Sequence, residues 1–304
     1  SSSSKDYYWV GDGGDWNDGT HWALSSGGSG SGCSPSYNDN VYFDANSFSS
    51  SGQTVSISNG AADCKTIDWT GVTNDPTFDI SDDLNVYGSL IFVTNMTLSA
   101  SGSTDIILKS TSSGNSLTLG GNALNAGLIF NGVGGEWDLL DSVSLTNYYR
   151  YFTVSNGTLR TNGNGISCGQ FRVQNNSTVD LSSSNITLFG YSCNVSSTNF
   201  DAGTSTILLA NSGGTFPGEF NSDNDFYGVY KTKESWIEND DNPFGNWTSR
   251  CTECYTNQLV RSHLVDMEFL LFDEKKLMVY RDSQREIFDI KNFFFKKNFF
   301  EFEH

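Results

Sequence analysis

The chain has 304 residues, of which 35 are acidic and 17 basic, for a formal net charge of −18. That sign excludes a nucleic-acid binder working by neutralisation of phosphates with Lys and Arg. No window reaches the ~18 consecutive apolar residues of a membrane-spanning helix, so no transmembrane segment is expected.

The length allows one long all-β unit or two smaller domains. Residues 1–230 hold only six basic residues (Lys5, Lys65, Lys109, Arg150, Arg160, Arg172), and 231–304 hold the rest. In the first part polarity comes from Ser, Thr, Asn and Gly, a composition suited to turn-rich β structure and common on surfaces outside cells. The chain begins at Ser1, as a processed chain or a fragment does.

Residues 1–58 read as an N-terminal cap with the first strands. A polar lead precedes the stretch from Tyr7 to Trp22, dense in turn residues and holding Trp9, Trp16 and Trp22. Three indoles so spaced can cover the open end of a stack of strands, which otherwise exposes both its core and its edge. A Ser/Gly loop follows, then Val41-Tyr42-Phe43 and Thr54-Val55-Ser56-Ile57, both alternating with the period of a strand.

Residues 59–230 read as the body. Ile67 and Trp69, and Phe78 and Ile80, fall on one face of their strands; Leu84-Val86, Leu90-Phe92, Ile106-Leu108, Leu117-Leu119, Leu128-Phe130 and Trp137-Leu139 continue the series to Ile207-Leu209. The interval of roughly eight to twelve residues fits a sandwich, a barrel, or a β-helix with three short strands per coil. Strands of three to five residues and Asn/Gly/Ser corners such as Gly120-Gly121-Asn122 favour the β-helix over hairpins. The expected fold is therefore all-β, a right-handed parallel β-helix with an aromatic N-terminal cap.

Residues 231–304 form a distinct C-terminal segment in which Lys, Glu, Arg and Phe replace Ser and Gly. Leu259 to Tyr280 has strand and helical periodicity about equally. The Phe-rich end at 292–302 reads as a capping strand or helix, as an assembly segment, or as sequence outside the evolved domain.

Tyr8-Trp9-Val10-Gly11, Asp15-Trp16-Asn17-Asp18, His21-Trp22, Asn38-Asp39-Asn40-Val41-Tyr42-Phe43-Asp44-Ala45 and Gln53-Thr54-Val55 resemble the opening module of secreted β-helix surface proteins, adhesin-like, of Bacteroidota-like bacteria and related environmental phage structural proteins. The likeness extends over about residues 7–215 and includes Phe130-Asn131-Gly132-Val133-Gly134-Gly135-Glu136-Trp137. It implies an extracellular, cell-surface or virion-surface protein with a structural or adhesive role, whose partners are other copies of itself or surface polysaccharide. The tail at 231–304 departs from the pattern, which there continues with further β repeats.

Several residue sets bear on chemistry. Asp12, Asp15 and Asp18 share one Gly-rich loop, and Asp39, Asn40 and Asp44 another; both sets could supply calcium with oxygens or could close ordinary Asx turns. The first set is out of register with the EF-hand pattern. Glycosylation sequons stand at Asn95, Asn156, Asn175, Asn176, Asn185, Asn194 and Asn246, a number that composition alone can produce. Cys33, Cys64, Cys168, Cys193, Cys251 and Cys254 are disulfide candidates; Cys251 and Cys254 also have CxxC spacing, but no second pair accompanies them.

Glycoside hydrolysis needs two placed carboxylates, and residues 1–230 offer only Glu136 and Glu219 besides many Asp. His21 sits in the cap and reads as a packing residue. Tyr148, Tyr149 and Tyr151 could stack on sugars or pack beside Phe152. The function expected is an extracellular structural or adhesive surface protein, with a polysaccharide-binding or polysaccharide-degrading tailspike-like β-helix as the alternative.

Overall fold

The computed structural model describes residues 3–197 and 199–209, together with the strands Phe220–Ser222, Gly228–Lys231, Glu268–Asp273, Lys276–Arg281 and Gln284–Asp289. The described residues wind as a parallel β-solenoid of about seven turns with essentially no helix. Its one described helical turn is the 3-10 segment Gly19–His21.

Each turn contributes to three faces. Face I stacks Asn40–Tyr42, Ile67–Asp68, Leu90–Ile91 and Asn115–Thr118, all parallel. Face II stacks Thr54–Ile57, Thr77–Ile80 and Thr97–Ala100; Ala123–Leu124 lies against the last of these and pairs in parallel with Val143–Leu145, which carries the face on. Face III stacks Ala62–Cys64, Leu84–Val86 and Asp105–Leu108. Because side chains alternate along a strand, in-register stacking places like beside like down the whole axis. On face III the inward line is Cys64, Val86, Leu108, Phe130, Val154, Val173 and Val195, each at most 1% exposed.

The later strands are longer than the apolar pattern indicates. Leu128-Phe130 and Trp137-Leu139 read as separate strands, yet they belong to the single strand Gly127–Leu139, and Tyr151–Arg160 and Ile166–Asp180 likewise turn a corner without a break. Register shifts at Asn131 and between Val154 and Asn156 absorb the bend, as bulges do. Gly157 makes this corner possible: its φ is +86°, and a Cβ there would lie 2.6 Å from both Gly132 O and Gly135 O.

The N-terminal end is capped on face I. The strand Asp6–Trp9 pairs in parallel with Asn40–Tyr42 and on its other side antiparallel with Trp22–Ala23. Trp9, Trp16 and Trp22 are fully buried; Trp22 meets Trp9 at 5.0 Å and Trp16 at 4.8 Å edge-on, and Phe43 carries the stack to Trp69 at 3.6 Å. Two indoles have their N–H satisfied locally, Trp9 by Asp12 O (2.6 Å) and Trp22 by Trp16 O (2.7 Å). Face III begins later than the other two, with Ala62–Cys64, and the loop before Asn40 meets it just past that strand, where Lys65 N donates to Asp39 O at 2.7 Å. Stacking thus begins within the segment read as the cap.

In the region where helix and strand periodicities were balanced, the described residues are strands. Glu268–Asp273, Lys276–Arg281 and Gln284–Asp289 form an antiparallel sheet of their own, unlike the parallel body.

Candidate functional site

The carboxylates proposed for calcium are placed by the cap and engaged within it. Asp12 accepts from Ser49 N (2.6 Å) and Ser49 Oγ (2.9 Å), joining the first loop to the second. Asp15 accepts from Asn17 N (2.9 Å) and Ser58 Oγ (2.7 Å), and Asp18 caps the 3-10 turn through Thr20 N (2.9 Å). Asp39, 7% exposed, takes Lys5 N on one oxygen and Ser36 N and Oγ on the other, while Asp44 takes Asn46 N. Asn40 donates to Asp6 (2.9 Å). The structure does not gather them: among the described residues no group of three or more His, Cys, Asp and Glu could hold a metal ion.

These bonds have an electrostatic signature. The Ser49 amide and hydroxyl hold the Asp12 carboxyl below its usual range, and the Thr20 hydroxyl and amide do the same for Asp18. At Asp15 burial pushes upward, but the Ser58 hydroxyl with the Asn17 and Ser58 amides outweighs it. His21 stacks on Trp9 at 4.8 Å with Nδ1 2.9 Å from Val10 O, a packing role.

Outside the cap, one cluster joins two carboxylates to a base. Arg160 on face I lies 2.6 Å from Glu136 Oε2 and 3.1 Å from Asp138 Oδ1, with Asp180 its neighbour in register on the next turn. Two acids sharing one guanidinium on an open strand face form a surface ion-pair network. An acid–base pair would need one carboxyl set apart in an apolar pocket. On face III, Asp105 contacts Arg150 at 3.3 Å; burial pushes its carboxyl upward, Arg150 pulls it down, and Asp83 on the preceding turn reinforces the rise.

The sequons divide. Asn95 Nδ2 is given to Val72 O (2.6 Å) and Asn156 Nδ2 to Asn131 Oδ1 (2.7 Å), so the atoms that would carry a glycan tie neighbouring turns together. Asn176 and Asn185 are exposed and Asn194 is half-buried; the side chain of Asn175 and all of Asn246 lie outside the described residues. Cys33 is an exposed free thiol, while Cys64 and Cys168 are free and fully buried, their thiols pushed well up by burial. Cys64 is on face III and Cys168 meets Leu188 on face II. The Cys193 side chain and both Cys251 and Cys254 fall outside the described residues.

Of the tyrosines singled out in sequence, Tyr149 is 70% exposed and edge-on to Tyr148 at 5.2 Å. Tyr151 is half-buried, with the Arg172 guanidinium 4.1 Å over its ring. Core packing beside them belongs to Phe152, at 5.6 Å from Phe171.

Sequence reading missed a second aromatic site on face III. Tyr37, 61% exposed, meets Tyr87 at 5.6 Å, and Lys109 Nζ lies 5.8 Å over the Tyr87 ring. Fifty residues separate the two tyrosines, and only the coil period brings them together. The chain matches no family model, no curated protein and no solved structure.

Proposed function

We propose that this chain is an extracellular structural or adhesive surface protein that makes its contacts sideways, through the long outer faces of the solenoid. The observation that carries the reading is the N-terminal cap on face I joined to polar outer faces. At that end Asp6–Trp9 covers the first face I strand and has its own outer edge taken by Trp22–Ala23, which disfavours addition of a second copy there and favours contacts through the lateral surface.

Stacked strands give the body rigidity without a helix layer, and the corners project small polar loops, which suits a spacer or presenter. The enzymatic alternative draws little support from the Glu136–Asp138–Arg160 network described above. Polysaccharide binding without cleavage is favoured instead by two tyrosine pairs, each with one exposed member, Tyr37 and Tyr149.

Electron microscopy of the protein from its native source, paired with a polysaccharide pull-down, tests the reading. Particles held side by side, attached to surfaces, or retained on a glycan are the expected result. Dispersed monomers that bind no polysaccharide would overturn it.

A further inference from the structure

Face III carries a basic island on an acidic molecule. One residue beyond its strands, Lys65, Tyr87 and Lys109 continue the register of Cys64, Val86 and Leu108, with Tyr87 N bonded to Cys64 O and Lys109 N to Val86 O. Alternation turns all three outward, and adjacent strands lie about 4.8 Å apart, so the two lysine backbones flank Tyr87 at about 10 Å from each other. They are two of the six basic residues in 1–230.

Among the described residues neither lysine has a carboxylate within 4.0 Å, whereas Arg150 and Arg160 are both ion-paired. Lys65 is exposed and Lys109 half-buried. Beside them Tyr37 meets Tyr87 at 5.6 Å with the ring planes 59° apart, and the exposed Tyr37 ring, flat with a polar tip, suits the C–H face of a pyranose. Asn85, two residues before Tyr87 on the same side of its strand, is 8% exposed, and among the described residues its Oδ1 has no hydrogen-bond partner. A buried acceptor of that kind is satisfied by a ligand hydroxyl.

We propose that Lys65, Tyr87 and Lys109, with Tyr37 leaning on the middle member, form a binding site for an acidic polysaccharide of the uronate class. The sugar chain runs along the solenoid axis, one pyranose stacks on the exposed Tyr37 ring, and carboxylates on either side of it meet the two ammonium groups. Asp63, in register with Asn85 and one step before Lys65, sets the direction of selectivity: negative charge is accepted on the lysine line and repelled beside it. The inference rests on the adhesive reading and gives it a ligand class.

The test is calorimetric titration of the full chain with oligogalacturonate and with a neutral galactose oligomer of the same length. Saturable binding of the uronate, at least tenfold tighter than the neutral oligomer and weakened by salt, is expected. Lys65→Gln with Lys109→Gln should lose that binding at least tenfold, and Tyr37→Ala should weaken both sugars, with unchanged circular dichroism in each case. Uronate binding that survives the double substitution would overturn this site while leaving the adhesive reading in place. Equal affinity for the two oligomers would overturn the ligand class, and no binding to either would overturn the site.

Discussion

Replacing Trp22 with alanine tests whether the cap is an energetically separate unit at the end of the stack. Trp22 is fully buried, meets the rings of Tyr7, Trp9, Trp16 and Phe43, and donates its indole N–H to Trp16 O. Deleting a buried indole costs about 3–5 kcal/mol, and the carbonyl left without its donor adds about 1 kcal/mol. In a solenoid each turn contacts only its neighbours, so this loss falls on the first turns and decays along the axis. At about 1.4 kcal/mol per decade, a loss of about 4–6 kcal/mol accelerates amide exchange in residues 6–57 by roughly a thousandfold or more. Hydrogen exchange read by mass spectrometry should show that acceleration with protection at 106–195 retained. Equal acceleration in both regions, or unchanged protection in the cap, would refute the reasoning. Trp22→Phe, which keeps a ring but loses the donor, should fall between the two.

The cap should also loosen in acid. The carboxyls of Asp12, Asp15 and Asp18 are depressed in the folded chain, so the stability they contribute is present above the unfolded carboxyl value near 3.8 and is lost as pH falls below it. Tryptophan fluorescence followed from pH 6 to pH 2 should report this before circular dichroism reports loss of the body, and Asp15→Asn should reduce the pH response. Gly157→Ala should destabilise by about 2 kcal/mol or more, because a Cβ there meets two carbonyls at positive φ; an unchanged melting temperature would count against the corner geometry. Among Cys33, Cys64 and Cys168, Cys33 should react with a thiol reagent in the native protein while the other two stay protected until unfolding, as peptide mapping would show.

Much of this fold is written locally. Alternating apolar residues put Ile67, Trp69, Phe78 and Ile80 inside, and the short Asn/Gly/Ser corners favour a stack over hairpins, because period and turn chemistry are properties of neighbouring residues. The three tryptophans of the cap were legible for the same reason: so many large rings near one end of a strand array need a common place to be buried.

What tertiary structure decided is whatever depends on which residues the coil period superimposes. Periodicity divides Gly127–Leu139 in two because it registers the apolar runs and not the bulge that carries the ladder between them. The Asp residues of the cap carry the same letters whether they hold an ion or close a turn; the positions of Ser49, Ser58 and Thr20 supply the donors that engage them in this structure. Lys65, Tyr87 and Lys109 are unremarkable in sequence and become a line only when three turns stack in register. Sequence determines which side of each strand faces in; the length of each turn, set by its corners, determines which outward residues meet.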